Sequence, residues 1–439
     1  MKQTAFHPPN FTFSEWETRS LKGRTLTQED RHFVAQLPKS RLSVDELRDG
    51  LLISARSWVG VVRFSGFELQ VVPKLVGDNL RLVELIDYAA GLDSLDRYTA
   101  LRTLKGSGTC LFDLVVLLLV EACEKVIRSG LLSDYYEVEE EIPVVRGRLL
   151  VQKQILKRFG RIDRLECRYD EYLTDTVENR ILLAALSACA KKVGHPSVAM
   201  RARRLLAIFS EVCDLHGVDL RLARSSLVYN RMNEHYHGAH ELAWLILDGL
   251  GIEDIFATGS QQCFAFLLDM NRLFQAFTVR WLRQVFAGSE FRVKPERRDR
   301  TILWNAAAPA RPYTSVIPGL LIERTGQPGT YLPVDAKYKL YDQRSIATGD
   351  IYQTFLYAYA YGEKHPVLPT AFVLYPASLP DGGQVLLHVR RRSGTTSAQL
   401  RAVPVHIPTA LSEARLGRTG SVANPLVGLV KEVLMPAAK

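Results

Sequence analysis

At 439 residues the chain is too long for one ordinary core and implies two or three domains. Hydrophobic residues make up 47% and charged residues 23%, which excludes a disordered chain. Lys and Arg number 56 against 47 Asp and Glu, a formal charge of +9 that favours polyanionic partners, nucleic acid first, over a balance that serves solubility alone.

Six cysteines, Cys110, Cys123, Cys167, Cys189, Cys213 and Cys263, are scattered without a CxxC pair. They read as reduced thiols of a cytoplasmic protein. The first residues lack an apolar signal core. The most apolar run, Leu111 to Cys123, is too short to span a bilayer and carries Asp113 and Glu121, so a buried helix is expected and no membrane association.

Residues 1–105 read as a small β-rich N-terminal domain. Trp58 to Phe64 and Phe67 to Lys74 are β-rich runs around Ser65-Gly66, which predicts a hairpin. Leu80 to Ala90 has the apolar spacing of a helix. Residues 106–260 form a helical middle domain. It has helices from Leu111 to Gly130, Asp175 to Lys192, Arg201 to Val212 and His240 to Leu250, with Thr174 or Asp175 capping the second. Between them Val144 to Leu149 is a short basic turn or strand. His235, His237 and His240 lack a metal-ligand spacing and read as ordinary helix residues.

Residues 261–410 change pattern. A helix from Phe264 to Phe286 is followed by strands at Phe291 to Lys294, Ile302 to Trp304, Val316 to Glu323 and Tyr331 to Lys337. A helix from Asp350 to Tyr361 and strands at Ala371 to Tyr375 and Val385 to Val389 complete an α/β domain with a central mixed sheet. Residues 411–439 form a tail with a short helix near Val427 to Leu434. The fold class expected is therefore multidomain α+β.

The chemistry concentrates in the third region. In Val334-Asp335-Ala336-Lys337-Tyr338-Lys339 an aspartate and a lysine stand two apart, on one face of a strand. An amphipathic strand with exposed lysines would look the same. Together with Pro318-Gly319 and with Asp350-Ile351-Tyr352-Gln353, however, this order resembles the PD-(D/E)xK nuclease superfamily. More narrowly it resembles McrC, the nuclease subunit of modified-cytosine restriction systems. The Gly60 to Lys74 hairpin, the Arg146-Gly147-Arg148 turn, Cys167 to Glu171 and the Asp175-Thr176 to Arg180 stretch also match that family, so the likeness spans roughly residues 50–400.

The resemblance implies a Mg²⁺- or Mn²⁺-dependent endonuclease acting on double-stranded DNA beside a McrB-like AAA+ GTPase hexamer. Asp335 and the Ala336 carbonyl would hold the metal. Lys337 would activate the water, and Gln353 could hold a water or a phosphate oxygen. The N-terminal domain would dock on the ring. The chain has no P-loop motif, so nucleotide hydrolysis would belong to the partner.

Two positions depart from the family pattern. Gly319 stands where an aspartate follows the proline, and Gln275 where the first helix commonly carries glutamate. Neither offers a carboxylate, so metal affinity should fall. Glu323 lies too far along the strand to replace them, and Glu290 and Glu296 are other possible migrants. Two functions stay open: an active endonuclease with a rearranged site, or a nuclease-fold adaptor that binds DNA and regulates the motor. Lys294, Arg297, Arg298, Arg300 and Lys339, with Arg390 to Arg392, are candidate phosphate contacts. The basic run from Arg146 through Lys153, Lys157, Arg158, Arg161 and Arg164 is either a solvated face or a second such surface.

Overall fold

A computed structural model describes residues 9–91, 110–160, 163–216, 219–250, 263–295, 298–307, 311–366, 368–380, 382–417 and 420–435. The chain divides into two compact units. Residues 1–102 and 261–439 make one, and residues 103–260 make the other.

The first unit begins with β1 (Asn10–Ser14), β2 (Thr18–Lys22), a helix at Gln28–Gln36, β3 (Leu42–Leu47), β4 (Gly50–Ala55), β5 (Trp58–Arg63) and β6 (Glu68–Val72). The expected hairpin is β5–β6, closed by the Phe64 N–H donating to the Phe67 carbonyl at 2.9 Å. Strands β2, β4 and β3 form a separate antiparallel sheet. Phe13, Leu51, Ile53, Val62, Phe64, Phe67 and Leu69 fill a common core. The helix Asn79–Ala90 follows, capped by Asp78, whose side chain accepts the Arg81 N–H, and ended by Gly91 at φ 76°.

The second unit contains helix Leu111–Ser129, β7 (Asp134–Ile142), β8 (Arg148–Leu149), helix Val151–Arg158 and β9 (Leu165–Leu173). Helices Val177–Cys189, Pro196–Val212, Leu220–Ser226 and His237–Leu250 follow. Strand β9 pairs with both β7 and β8 in a narrow ribbon. The cap of Val177–Cys189 is Thr176, not Thr174 or Asp175. Asp175 instead forms a two-pronged ion pair with Arg180 at 2.5 and 2.6 Å. His240 is buried between the Tyr229 hydroxyl at 2.9 Å and the Glu178 carbonyl at 3.0 Å, a satisfied core histidine.

Back in the first unit, the expected helix from Phe264 is two elements. Phe264–Asp269 is β10 and Met270–Val285 is the helix. A short, fully apolar run such as Phe264 to Leu268 has no periodicity to separate buried strand from buried helix. Asp269 marks the change, since its side chain accepts the Asn271 N–H at 2.9 Å and caps the helix. Strand β10 lies antiparallel to β5 and completes the N-terminal sheet, in the order β1-β6-β5-β10.

Next come β11 (Phe291–Pro295), β12 (Asp299–Trp304), β13 (Pro312–Val316), β14 (Leu320–Arg324), β15 (Tyr331–Ala336), helix Thr348–Tyr361, β16 (Thr370–Pro376), β17 (Val385–Arg390) and β18 (Thr396–Val405). Helices Ile407–Arg415 and Ala423–Leu434 end the described chain. Six strands form one mixed sheet in the order β11-β14-β15-β16-β18-β17, as expected of the α/β domain. Strand β18, which the sequence pattern did not reveal, lies between β16 and the edge strand β17. The expected strand from Val316 to Glu323 is broken at Ile317-Pro318-Gly319: β13 pairs with β12 outside the sheet, and β14 pairs with β11 and β15 within it. A proline cannot donate to a ladder, so the break falls where the sequence places one.

Gly60 lies opposite Leu267 of β10. A Cβ there would lie 1.9 Å from the Phe266 carbonyl oxygen, on a backbone at φ 154°. Gly60→Ala should therefore destabilise the first unit by about 2 kcal/mol or more in chemical denaturation, while leaving helical content measured by circular dichroism nearly unchanged before the transition.

Candidate active site

Asp335 is the next-to-last residue of β15, central in the mixed sheet and buried. Lys337 lies just beyond the strand, and its N–H still donates to the Leu374 carbonyl of β16 at 2.8 Å. The strand does not continue through Tyr338 and Lys339 as expected. The Lys339 N–H turns back to the Lys337 carbonyl, and the Tyr341 N–H to the Lys339 carbonyl, each at 2.9 Å. This curled segment delivers three side chains to one carboxylate cluster.

Lys337 is the hub. Its ammonium lies 3.0 Å from Asp335 Oδ2, 3.7 Å from Asp350 Oδ1 and 2.8 Å from Gln353 Oε1. The Asp335 contact has the distance of an ion pair but not the direction of a hydrogen bond, so the buried Oδ2 has no hydrogen-bond partner. Asp350 and Gln353 stand three apart on one face of helix Thr348–Tyr361. Asp350 also accepts from the Lys339 ammonium at 2.5 Å and from the Tyr341 hydroxyl. Gln353 donates to the Tyr357 hydroxyl at 2.8 Å, which donates in turn to the Ile317 carbonyl at 2.7 Å. That chain ties the cluster to the Pro318-Gly319 break.

The two carboxylates are tuned in opposite directions. Burial pushes Asp335 above its ordinary range, with the Lys337 charge opposing. Burial acts on Asp350 too, but hydrogen bonds from Lys339 and Tyr341 and the charge of Lys337 outweigh it and hold the carboxyl below the usual range. Sequence reasoning singled out Gln353 and gave Asp350, Tyr341 and Tyr357 no role. The three-residue spacing from Asp350 to Gln353, continued at Tyr357, was the available signal.

Gly319 lies beside this cluster. A Cβ at that position would sit 3.2 Å from Asp335 Oδ1 and 3.3 Å from the Val334 carbonyl oxygen. An aspartate at 319 would thus reach the carboxylate it would have to partner, and the glycine leaves that position without an oxygen ligand. Gln275 is half-buried on helix Met270–Val285, next to Phe274, whose ring lies 5.9 Å from that of Tyr338. A divalent ion such as Mg²⁺ takes near-octahedral oxygen ligation. The residues present do not fit one: Asp335 is already opposed by an ammonium, and Asp350 is held by a lysine and a tyrosine. Among the described residues no group of three or more His, Cys, Asp or Glu is arranged to hold a metal ion.

The other candidates are dispersed. Lys294 is paired with Glu323 at 2.8 Å and lies over the Tyr331 ring, so both its charge and that of Glu323 are satisfied locally. Glu290 pairs with Arg324 at 3.6 Å. Arg298 and Arg300 are exposed at the start of β12, and Arg390, Arg391 and Arg392 are exposed at the end of β17 and after it. Arg161, Glu296, Arg297 and the Arg158 side chain lie outside the described residues. In the second unit the basic run faces glutamates of β7 and β9. Lys153 pairs with Glu139 and Glu166, Lys157 with Glu166, Arg164 with Glu141 and Arg146 with Glu171. A surface neutralised in this way favours the solvated-face reading.

Tyr338, between the two lysines, points the other way into the N-terminal elements. Its hydroxyl donates to Glu15 Oε2 at 2.8 Å, and its ring stacks on Trp16 at 5.6 Å. The Lys74 N–H donates to the same carboxyl at 2.8 Å. Trp16 has φ 60°, a left-handed conformation rare for a bulky residue. The sequence gave no sign of this brace.

The McrBC 5-methylcytosine restriction system component profile matches residues 53–376. The chain belongs to that family. None of the curated proteins matches it. Among solved structures it is similar to a chain of a half-complex from a tetradecameric assembly of Thermococcus gammatolerans McrB AAA+ hexamers with bound McrC. That match has 18% identity and a TM-score of 0.50, covering 93% of this chain and 99% of the other. A chain of the Thermococcus gammatolerans McrBC complex aligns at 20% identity and a TM-score of 0.44, covering 63% and 88%. At 18% identity the first likeness is one of fold.

Two expectations follow. Gly319→Asp should place two buried carboxylates side by side. Its melting temperature should fall below wild type in EDTA and be restored by millimolar Mg²⁺ or Mn²⁺, while wild type shows little response to either ion. Glu15, buried and raised from 4.5 to about 7 chiefly by desolvation, keeps its proton longer when folded than when unfolded. It therefore stabilises most below about pH 4.5, and roughly 3 kcal/mol is lost as pH rises to about 7. Unfolding free energies across that range should show Glu15→Gln gaining on wild type as pH rises.

Proposed function

We propose that this chain is the McrC-type subunit of a modification-dependent DNA restriction system. It works in the cytoplasm with an AAA+ GTPase hexamer and binds DNA through a nuclease-fold site whose metal-dependent cleavage is weakened or lost. Gly319 against Asp335 carries this reading, because it removes the second carboxylate from beside the first. The ammonium of Lys337 then balances Asp335 from 3.0 Å, the role a cation would otherwise fill. The lysine remains suited to a phosphate oxygen as a point charge. Its side chain is 21% exposed and that of Lys339 44%, so a DNA backbone can reach both.

One observation favours cleavage with a rearranged site. Asp350 brings a second carboxylate to Lys337, so a lysine swinging out toward a phosphate would leave two acidic groups behind. The name of the similar assembly pairs McrB hexamers with McrC, which supports a ring partner. The second unit offers a surface for one: Leu156 and Phe159 are 86% and 87% exposed, with Val151 and Ile155 beside them. In residues 9–91, by contrast, Leu47 alone among the large hydrophobics is exposed. An apolar patch of this kind marks a protein interface more readily than a solvated face.

Cleavage separates the two readings. With its AAA+ partner, GTP, methylated duplex DNA and Mg²⁺ or Mn²⁺, wild type should leave the DNA intact, and Gly319→Asp with Gln275→Glu should gain cutting. Cutting by wild type that Asp335→Ala abolishes would establish the rearranged site instead. Leu156→Asp with Phe159→Asp should weaken co-elution with the partner by roughly tenfold or more, the loss expected when two central apolar contacts become charged.

A further inference from the structure

The β12–β13 hairpin stands outside the six-stranded sheet and carries both buried and exposed side chains. Ile302 and Leu303 pack inward on the core that contains Tyr357, Tyr361 and Leu400. The hairpin's one acidic residue, Asp299, accepts from the Tyr361 hydroxyl at 3.1 Å. The outer surface is aromatic and basic: Trp304 is 51% exposed and Tyr313 76%, and Arg298, Arg300 and Arg311 are exposed. None of the three arginines forms an ion pair among the described residues. The indole N–H of Trp304 donates to the Thr301 carbonyl at 2.9 Å, which holds the ring in place while half of it faces water.

Burying an aromatic ring is favourable, so two rings held outside on a braced hairpin are available to a partner. The surrounding charge indicates which. Arginines that form no ion pair among the described residues suit phosphates, and exposed flat rings on the same hairpin suit base faces. The hairpin is also continuous with the site. Strand β13 ends at Val316, three residues before Gly319, and the Ile317 carbonyl accepts from Tyr357, the residue bound to Gln353.

We propose that this hairpin is a DNA-gripping arm: Trp304 and Tyr313 stack on bases of a strand whose phosphates meet Arg298, Arg300 and Arg311. It rests on the DNA-binding reading above and names the part of the DNA it takes, an exposed base face rather than the backbone alone. Contact through base faces requires locally unstacked bases, so the arm prefers single-stranded DNA to intact duplex.

The test uses the full chain and a fluorescein-labelled single-stranded oligonucleotide, followed by anisotropy, with a duplex of the same sequence alongside. Trp304→Ala and Tyr313→Ala should each weaken single-strand binding roughly tenfold. Arg300→Ala with Arg311→Ala should reduce the slope of log affinity against log salt. Binding should quench tryptophan fluorescence in wild type, and Trp304→Phe should remove most of that quenching while retaining affinity. Aromatic variants that bind like wild type, while Lys337→Ala with Lys339→Ala loses binding, would overturn the arm and leave the site's DNA role standing. No DNA binding by wild type would remove both. Loss of AAA+ partner co-elution in the aromatic variants, with DNA binding unchanged, would make the arm a protein interface and end this inference.

Discussion

The site depends on how two buried carboxylates are balanced. Asp335 ends a central strand of the sheet and Asp350 begins the crossover helix behind it, so the topology brings them together whatever else occupies the site. Charge removed from water must be compensated nearby. Here lysines and a tyrosine supply the compensation, with Lys337 reaching both acids and Lys339 and Tyr341 holding the second. Gly319 is the position that tips this balance. A carboxylate there would add negative charge beside Asp335, whereas the glycine leaves Asp335 opposed by the Lys337 ammonium.

The curl after β15 follows from the same demand. A straight strand would send Lys339 along the sheet, but the turns at Lys339 and Tyr341 bring both side chains back onto Asp350. The residue left pointing away, Tyr338, is anchored by Glu15 and Trp16, so the lysine-bearing segment is held from both sides. The N-terminal elements are thereby part of the site's scaffold. Strand β10, which arrives after a whole intervening unit, closes the sheet that supports them. A tyrosine bonded to a buried carboxyl in this way is a packing contact whose strength varies with pH, since that carboxyl is raised to about 7 by desolvation.

Basic residues in this chain divide by what faces them. In the β7–β9 ribbon Arg146, Lys153, Lys157 and Arg164 each meet a glutamate, which offsets much of the positive run. On the β12–β13 hairpin Arg298, Arg300 and Arg311 form no ion pair among the described residues, and Trp304 and Tyr313 are exposed on the same hairpin. Density of positive charge along a sequence is therefore a weak guide to nucleic-acid contact. Its partner strands decide whether the charge survives folding.

The sequence by itself determined the α+β class, the β5–β6 hairpin, most of the helices and the order of strand, turn and helix around the Asp335-Ala336-Lys337 and Asp350 to Gln353 motifs. These are local matters of periodicity, turn residues and spacing. It also exposed the missing carboxylate, because Gly319 can be compared with a family pattern residue by residue. Tertiary structure alone decided the rest. Phe264 to Leu268 is a strand because β5 offers it a ladder at Gly60. Val316 to Glu323 is two strands because Pro318 cannot donate. Lys294 pairs with Glu323, a neighbour only across a sheet. Glu15 and Trp16 reach Tyr338 across more than three hundred residues. Contacts between residues so distant in the chain leave no periodic trace in it, so only the folded arrangement could reveal them.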